Sequence, residues 1–169
     1  DLEINLENYA LGSEKRKLLM KQLSETSSST INNIDQNSKY FKKKNTFLNL
    51  KKNENLIEEV EINQITLSDY LEQKKILKID FLKIDTEGYE FNVLVGMGKY
   101  LQNVNLIMFE HHYHDMLVKN YSFSDIHDLL KKNNFKDFEI FFDIGAHEGE
   151  SIILFSKNFN IKRIFSFEP

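Results

Sequence analysis

Two short runs with apolar side chains on both of their faces limit this chain most. IDFLKID, 79–85, and NLIMFEHH, 105–112, read as strands, and a strand apolar on both faces needs cover on both, which helices packed over a parallel sheet provide. The segments around them have helical periodicity. In TLSDYLEQ, 66–73, Thr66 and Asp69 stand at capping-box spacing and Leu67, Tyr70 and Leu71 form a stripe. YEFNVLVGMGKYL, 89–101, keeps Phe91, Leu94, Val95 and Leu101 at helical spacing, and SFSDIHDLLKKNNF, 122–135, opens with Ser122 and Asp125 at cap spacing. A strand at 138–144, a turn and helix at 145–157 and a strand at 163–168 close the chain. This alternation predicts the α/β class, with a doubly wound, mostly parallel sheet.

Nearer the start, EINLENYAL, 3–11, alternates apolar and polar residues as a strand, KRKLLMKQL, 15–23, reads as a short hairpin arm, and VEINQI, 60–65, as another strand. From 24 to 56 the composition turns to Ser, Asn and Lys with little periodicity, which predicts a flexible insert. The 169 residues, 41% of them hydrophobic, suffice for one domain over 1–169 with a real core. The absence of cysteine excludes disulfides and thiolate metal sites and suits a cytoplasmic protein. A net charge of -4 favours neither nucleic acid nor an anionic membrane, and no apolar run approaches the ~20 residues that cross a bilayer.

DIGAHEG, 143–149, places Asp143, Gly145 and Gly149 at a strand-to-helix turn. Glycine there lets the backbone turn sharply and touch a ligand, and the helix start offers free N–H groups. Glu168, ending the next strand of a parallel pair, would lie beside that turn and accept hydrogen bonds from a ribose diol. The bland reading makes these strand-end polar residues and turn formers. A dinucleotide fingerprint would carry Gly where Asp143 stands, since its charge opposes a pyrophosphate. An acid in this place suits a cofactor with an ammonium group, such as S-adenosylmethionine.

Together FFDIGAHEGESIILF, SFEP, LKIDTEGYEFNVLVGM and the preceding TLSDYL resemble the FkbM-type methyltransferases, S-adenosylmethionine-dependent enzymes with the Rossmann-like class I methyltransferase fold. The resemblance implies that Asp143, Gly145, Gly149 and Glu168 bind the cofactor, with Asn8 and Ala10 of NYALG near its adenine. It also implies transfer to a small-molecule acceptor, a hydroxyl of a sugar or similar polar compound. In the family the DIGAHEG-like turn comes first. Here residues 1–136 resemble the C-terminal part of the domain and 137–169 its N-terminal cofactor-binding part, as in a circular permutant, a tandem-domain fragment or a gene joined out of order. A catalytically inactive remnant and a nicotinamide-dependent oxidoreductase are the rival readings.

Asp85 and Glu87 in KIDTEG sit at the carboxyl end of a strand, where ligands bind in open α/β sheets. They suit orienting an acceptor hydroxyl, taking its proton or balancing a sulfonium. Glu87 has the alternative of capping the helix that follows. EHHYHD, 110–115, gathers Glu110, three histidines and Asp115, and His111 or His112 is the general-base candidate, with His112 joined to Asp85 and Glu87 as the expected catalytic set. No metal site is expected without cysteine or a helical His-Glu-x-x-His pattern. KYFKKKN, 39–45, interleaves lysines with aromatics, a pattern seen in nucleic-acid contacts but more often a solvated charge run.

Overall fold

A computed structural model describes residues 3–23, 29–47, 57–133, 137–144, 149–158 and 160–167. The chain divides into two compact units, Asp1–Ile126 and His127–Pro169, the division falling inside one helix. In the first unit, β2 (Arg16–Leu23) pairs antiparallel along its whole length with β4 (Ile57–Ile65). β1 (Ala10–Leu11) joins the far end of β4 in parallel. The expected strand over 3–11 is thus two residues long, because β4 offers it only Gln64 and Ile65 as partners; Ile4 and Leu6 are exposed.

α2 (Leu67–Lys74) starts where the capping pattern put it. Thr66 Oγ1 accepts from the Asp69 amide at 3.0 Å, and Lys75, left-handed at φ 58°, ends the helix. Its buried face, Leu67 and Leu71, belongs to a core with Val93, Leu94, Met97 and Leu101. The long helix expected over 89–101 is instead α3 (Glu90–Val95) and a 3-10 turn, Gly98–Asn103. Between them the chain passes so near residue 12 that a Cβ on Gly96 would lie 2.0 Å from the Gly12 carbonyl oxygen, and no other residue fits there.

β5 (Ile79–Ile84) and β6 (Val104–Phe109) form a parallel pair through this crossover, with Ile84 opposite Phe109. β6 stops earlier than the expected 112 because its partner ends at Ile84. Among the described residues, cover on both faces is not found. Phe81 and Leu106, opposite one another, and Met108 beside them are all more than half exposed, whereas Ile84 is buried.

Within 24–56, expected as a flexible insert, the described residues carry β3 (Asn33–Ile34) and α1 (Lys39–Phe47). β3 pairs antiparallel with β7 (Leu117–Val118), and Phe41 of α1 is buried with Leu23, Met116 and Leu117. The start of α1 is held by Asp115, whose carboxylate accepts from the amides of Lys39 at 3.0 Å and Tyr40 at 3.2 Å. α4 (Phe123–Lys132) opens on a reciprocal box. The amide and hydroxyl of Ser122 both donate to Asp125 Oδ2 at 2.7 Å.

In the second unit β8 (Asp137–Ile144) and β9 (Asn160–Phe167) are parallel, joined through α5 (Glu150–Asn158), with Asp143 opposite Ser166. This is the βαβ unit expected from the final 32 or so residues. The described strands therefore fall into four small sheets, one mixed, one antiparallel and two parallel, where one doubly wound sheet was expected. The antiparallel β2–β4 pair is the main departure, and it arises because the apolar positions of 16–23 have a partner of matching length in 57–65.

Candidate functional site

The KIDTEG turn is built by an unusual backbone. After β5 the chain passes through Glu87 at φ 48° and Gly88 at φ 88° before α3 begins at Glu90. Gly88 suits this left-handed path; Glu87, which carries a Cβ, must be held in it. Thr30 Oγ1 donates to the Glu87 carbonyl oxygen at 2.7 Å, and Asn32 Nδ2 donates to the Gly88 carbonyl oxygen at 2.5 Å. From the other side the fully buried Glu90 carboxylate accepts from the Thr86 and Gly88 amides. Glu87 does not cap α3, whose N-cap is Tyr89 without a side-chain bond.

Held this way, the Glu87 side chain faces the segment that follows β6. Its Oε2 lies 3.3 Å from His112 Nε2, and Glu110 Oε1 approaches the same nitrogen at 3.6 Å. His112 and Glu87 side chains are 10% and 19% exposed, so the pair is largely screened from water, while Glu110 is open. Burial pushes the Glu87 carboxyl above its ordinary range; His112 and Lys44 pull it back part of the way. Desolvation lowers His111 and His114, favouring their neutral imidazoles. A cavity of 340 Å³ opens here, lined by Tyr40 and Lys44 of α1 as well as Glu87, Glu110, His112 and His114. The Tyr40 and His114 rings stack at 4.1 Å.

Of the expected catalytic residues, Glu87 and His112 are brought together. Asp85 is exposed, does not line this cavity and pairs with Lys83 at 2.7 Å on the same strand. The His112 and His114 rings lie edge-on at 5.1 Å rather than side by side on a continued strand. Among the described residues no group of His, Asp and Glu is arranged to hold a metal ion. Asn8 is exposed and Ala10 lies in β1; their neighbours Glu7 and Tyr9 line a second cavity of 680 Å³ with Arg16, Gln64, Tyr70 and Lys74. Glu7 is engaged there by Tyr70 at 2.9 Å and Lys74 at 3.0 Å.

In the second unit Asp143 is the penultimate residue of β8, and Gly149, at φ 82°, precedes α5. Gly145, His147 and Glu168 lie outside the described residues. The parallel βαβ path with a left-handed glycine at the helix entry is compatible with a nucleoside cradle, whose turn residues 145–148 lie outside the described residues.

Sequence reasoning missed Thr30 and Asn32, which fall in a polar stretch with little periodicity, and took Tyr40 and Lys44 only as part of the KYFKKKN charge run. It also missed Glu90, although its place two residues after Gly88 was visible.

The methyltransferase FkbM domain family matches residues 1–136. The chain belongs to this family of methyltransferases, whose members have the class I methyltransferase fold. No curated protein and no solved structure matches it.

Proposed function

We propose that the protein transfers a methyl group from S-adenosylmethionine to a hydroxyl of a small polar acceptor, a sugar or a similar compound. The observation that carries this is the Glu87–His112 pair, 3.3 Å apart and largely buried at the wall of the 340 Å³ cavity. A hydroxyl must lose its proton as it is methylated, and a carboxylate–imidazole pair is a suitable acceptor for it, contributing about 10² to 10⁴ in rate. Burial makes the Glu87 carboxylate more basic, and His112 Nε2, at hydrogen-bond reach, steadies whichever form results. Glu110 and the Tyr40–His114 stack offer the polar and flat contacts that hydroxyl-rich molecules use. The cavity's charged groups are two carboxylates and one lysine, which suits a neutral acceptor better than an anionic one.

S-adenosylmethionine supplies the electrophilic methyl. Asp143, Gly145, Gly149 and Glu168 are the residues we assign to holding it, by the family likeness of DIGAHEG and SFEP, and Asn8 and Ala10 are assigned to its adenine only by the likeness of NYALG. Asp85, paired with Lys83, takes the lesser part in this reading.

Titration calorimetry with S-adenosylmethionine, alongside methyl transfer to a panel of sugars, tests the proposal. Binding is expected, with Asp143→Ala weakening it by about 1–3 kcal/mol. His112→Ala should lower kcat by about 10² or more with cofactor affinity unchanged. No binding heat from the intact chain would favour an inactive remnant.

A further inference from the structure

We propose that Glu90 is a positioning residue for the Glu87–His112 pair, fixing the Thr86–Gly88 turn that aims Glu87 and, through Tyr121 and Lys119, the backbone of His112. The inference rests on reading that pair as the acceptor site.

Glu90 reaches both halves of the pair without touching the cavity. Its Oε1 gathers three donors from one turn: the Gly88 amide at 2.9 Å, the Thr86 hydroxyl at 3.1 Å and the Thr86 amide at 3.3 Å. Its Oε2 accepts the Tyr121 hydroxyl at 2.6 Å. Lys119 Nζ lies over the Tyr121 ring at 5.5 Å and donates to the His112 carbonyl oxygen. One carboxylate therefore ties the segment before α3 to the segment after β6. Glu90, Tyr121 and Lys119 are all absent from the cavity lining, and Glu90 is fully buried with both oxygens engaged, so it does not reach a substrate in that cavity. Thr30 and Asn32 hold the carbonyl side of the same turn, but only Glu90 among these residues holds its amides. Convergence of two amides and a hydroxyl on a single oxygen keeps Glu87 left-handed, a conformation a residue with a Cβ leaves when released.

The test separates position from charge. Glu90→Gln keeps an acceptor of the same length toward the turn and turns its amide toward Tyr121. Glu90→Asp keeps the charge but withdraws it by one methylene, too far to hold the turn and Tyr121 at once. The readout is the Glu87 carboxyl titration followed by carbon-13 NMR. The charged or titratable groups facing Glu87 are His112, Glu110, Lys44 and Asp85, none of them altered. Glu87 should stay above the ordinary carboxylate range in Glu90→Gln and fall back to it in Glu90→Asp as the side chain swings into water. The kcat should drop about tenfold or more in Glu90→Asp and less than about threefold in Glu90→Gln, with cofactor KM unchanged.

Tyr121→Phe removes only the far anchor and serves if Glu90→Asp fails to fold; a downward move of Glu87 is expected there too. An unmoved Glu87 in the shortened or Tyr121 variant, or an equal fall in Glu90→Gln, overturns the proposal. Because the titration needs no turnover, absence of methyl transfer in every variant would count against the enzymatic reading and leave this test standing.

Discussion

Gly88 shows how much a single position decides here. With φ at 88°, and a Cβ there 2.9 Å from both Asn32 Nδ2 and Leu117 Cδ1, neither backbone nor space admits a larger residue. Gly88→Ala should cost about 1–3 kcal/mol in chemical denaturation, from the strained backbone together with loss of the Asn32 bond. The glycine and the two acids of KIDTEG stood out in the sequence. That Glu87 would share the left-handed turn did not, because the carbonyl side of that turn is held by Thr30 and Asn32, 57 and 56 residues away from the oxygens they bind, opposite the Glu90 that holds its amides. The sequence favours Asp85, since Glu87 has the alternative of capping the next helix, yet the turn sends Glu87 toward His112 and leaves Asp85 with Lys83.

Elements with local signals were readable, and those that depend on a distant partner were not. Thr66 and Ser122 cap α2 and α4 as their spacing indicated, since a cap involves residues three apart. α1 has one local signal too, Ser38, whose Oγ accepts from the Phe41 amide at 3.1 Å. Its sequence, KYFKKKNTF, interleaves lysines with aromatics, and beyond that cap it depends on distant partners, since Phe41 is buried and Asp115 binds its first amides. Phe41→Ala should therefore destabilise by about 3–5 kcal/mol, the usual cost of emptying a buried aromatic site. Phe81→Ala, at a side chain 53% exposed on the open face of β5, should cost less than about 1.5 kcal/mol by the same denaturation measurement. A large loss at Phe81 would mean that this face is covered after all.

At the scale of the molecule, ionisation pulls in two directions. Glu7, Asp115 and Asp125 are held below their ordinary values by, respectively, Lys74, the Lys39 amide and the Ser122 amide. Their contribution is present above the unfolded carboxylate range and is lost as pH falls through the depressed folded values. Glu87 has the opposite sign. Its folded value is raised by burial, so the folded state holds the proton longer, and stability declines as pH rises from the ordinary carboxylate value through the raised one. Thermal unfolding across pH should show Glu87→Gln losing that decline while keeping the acid limb; identical profiles would deny Glu87 its buried setting.

No helix among the described residues is long and apolar enough to cross a membrane. Family, the starts of α2 and α4 and the terminal βαβ unit were determined by the sequence alone, because caps, periodicity and glycine turns act over a few residues and need no knowledge of the rest of the chain. The tertiary structure decided the pairing of 16–23 with 57–65, the anchoring of α1 and which of Asp85 and Glu87 faces His112. Each of these depends on which distant segment supplies the missing hydrogen-bond partner or the buried contact, and that is settled only when the chain closes on itself.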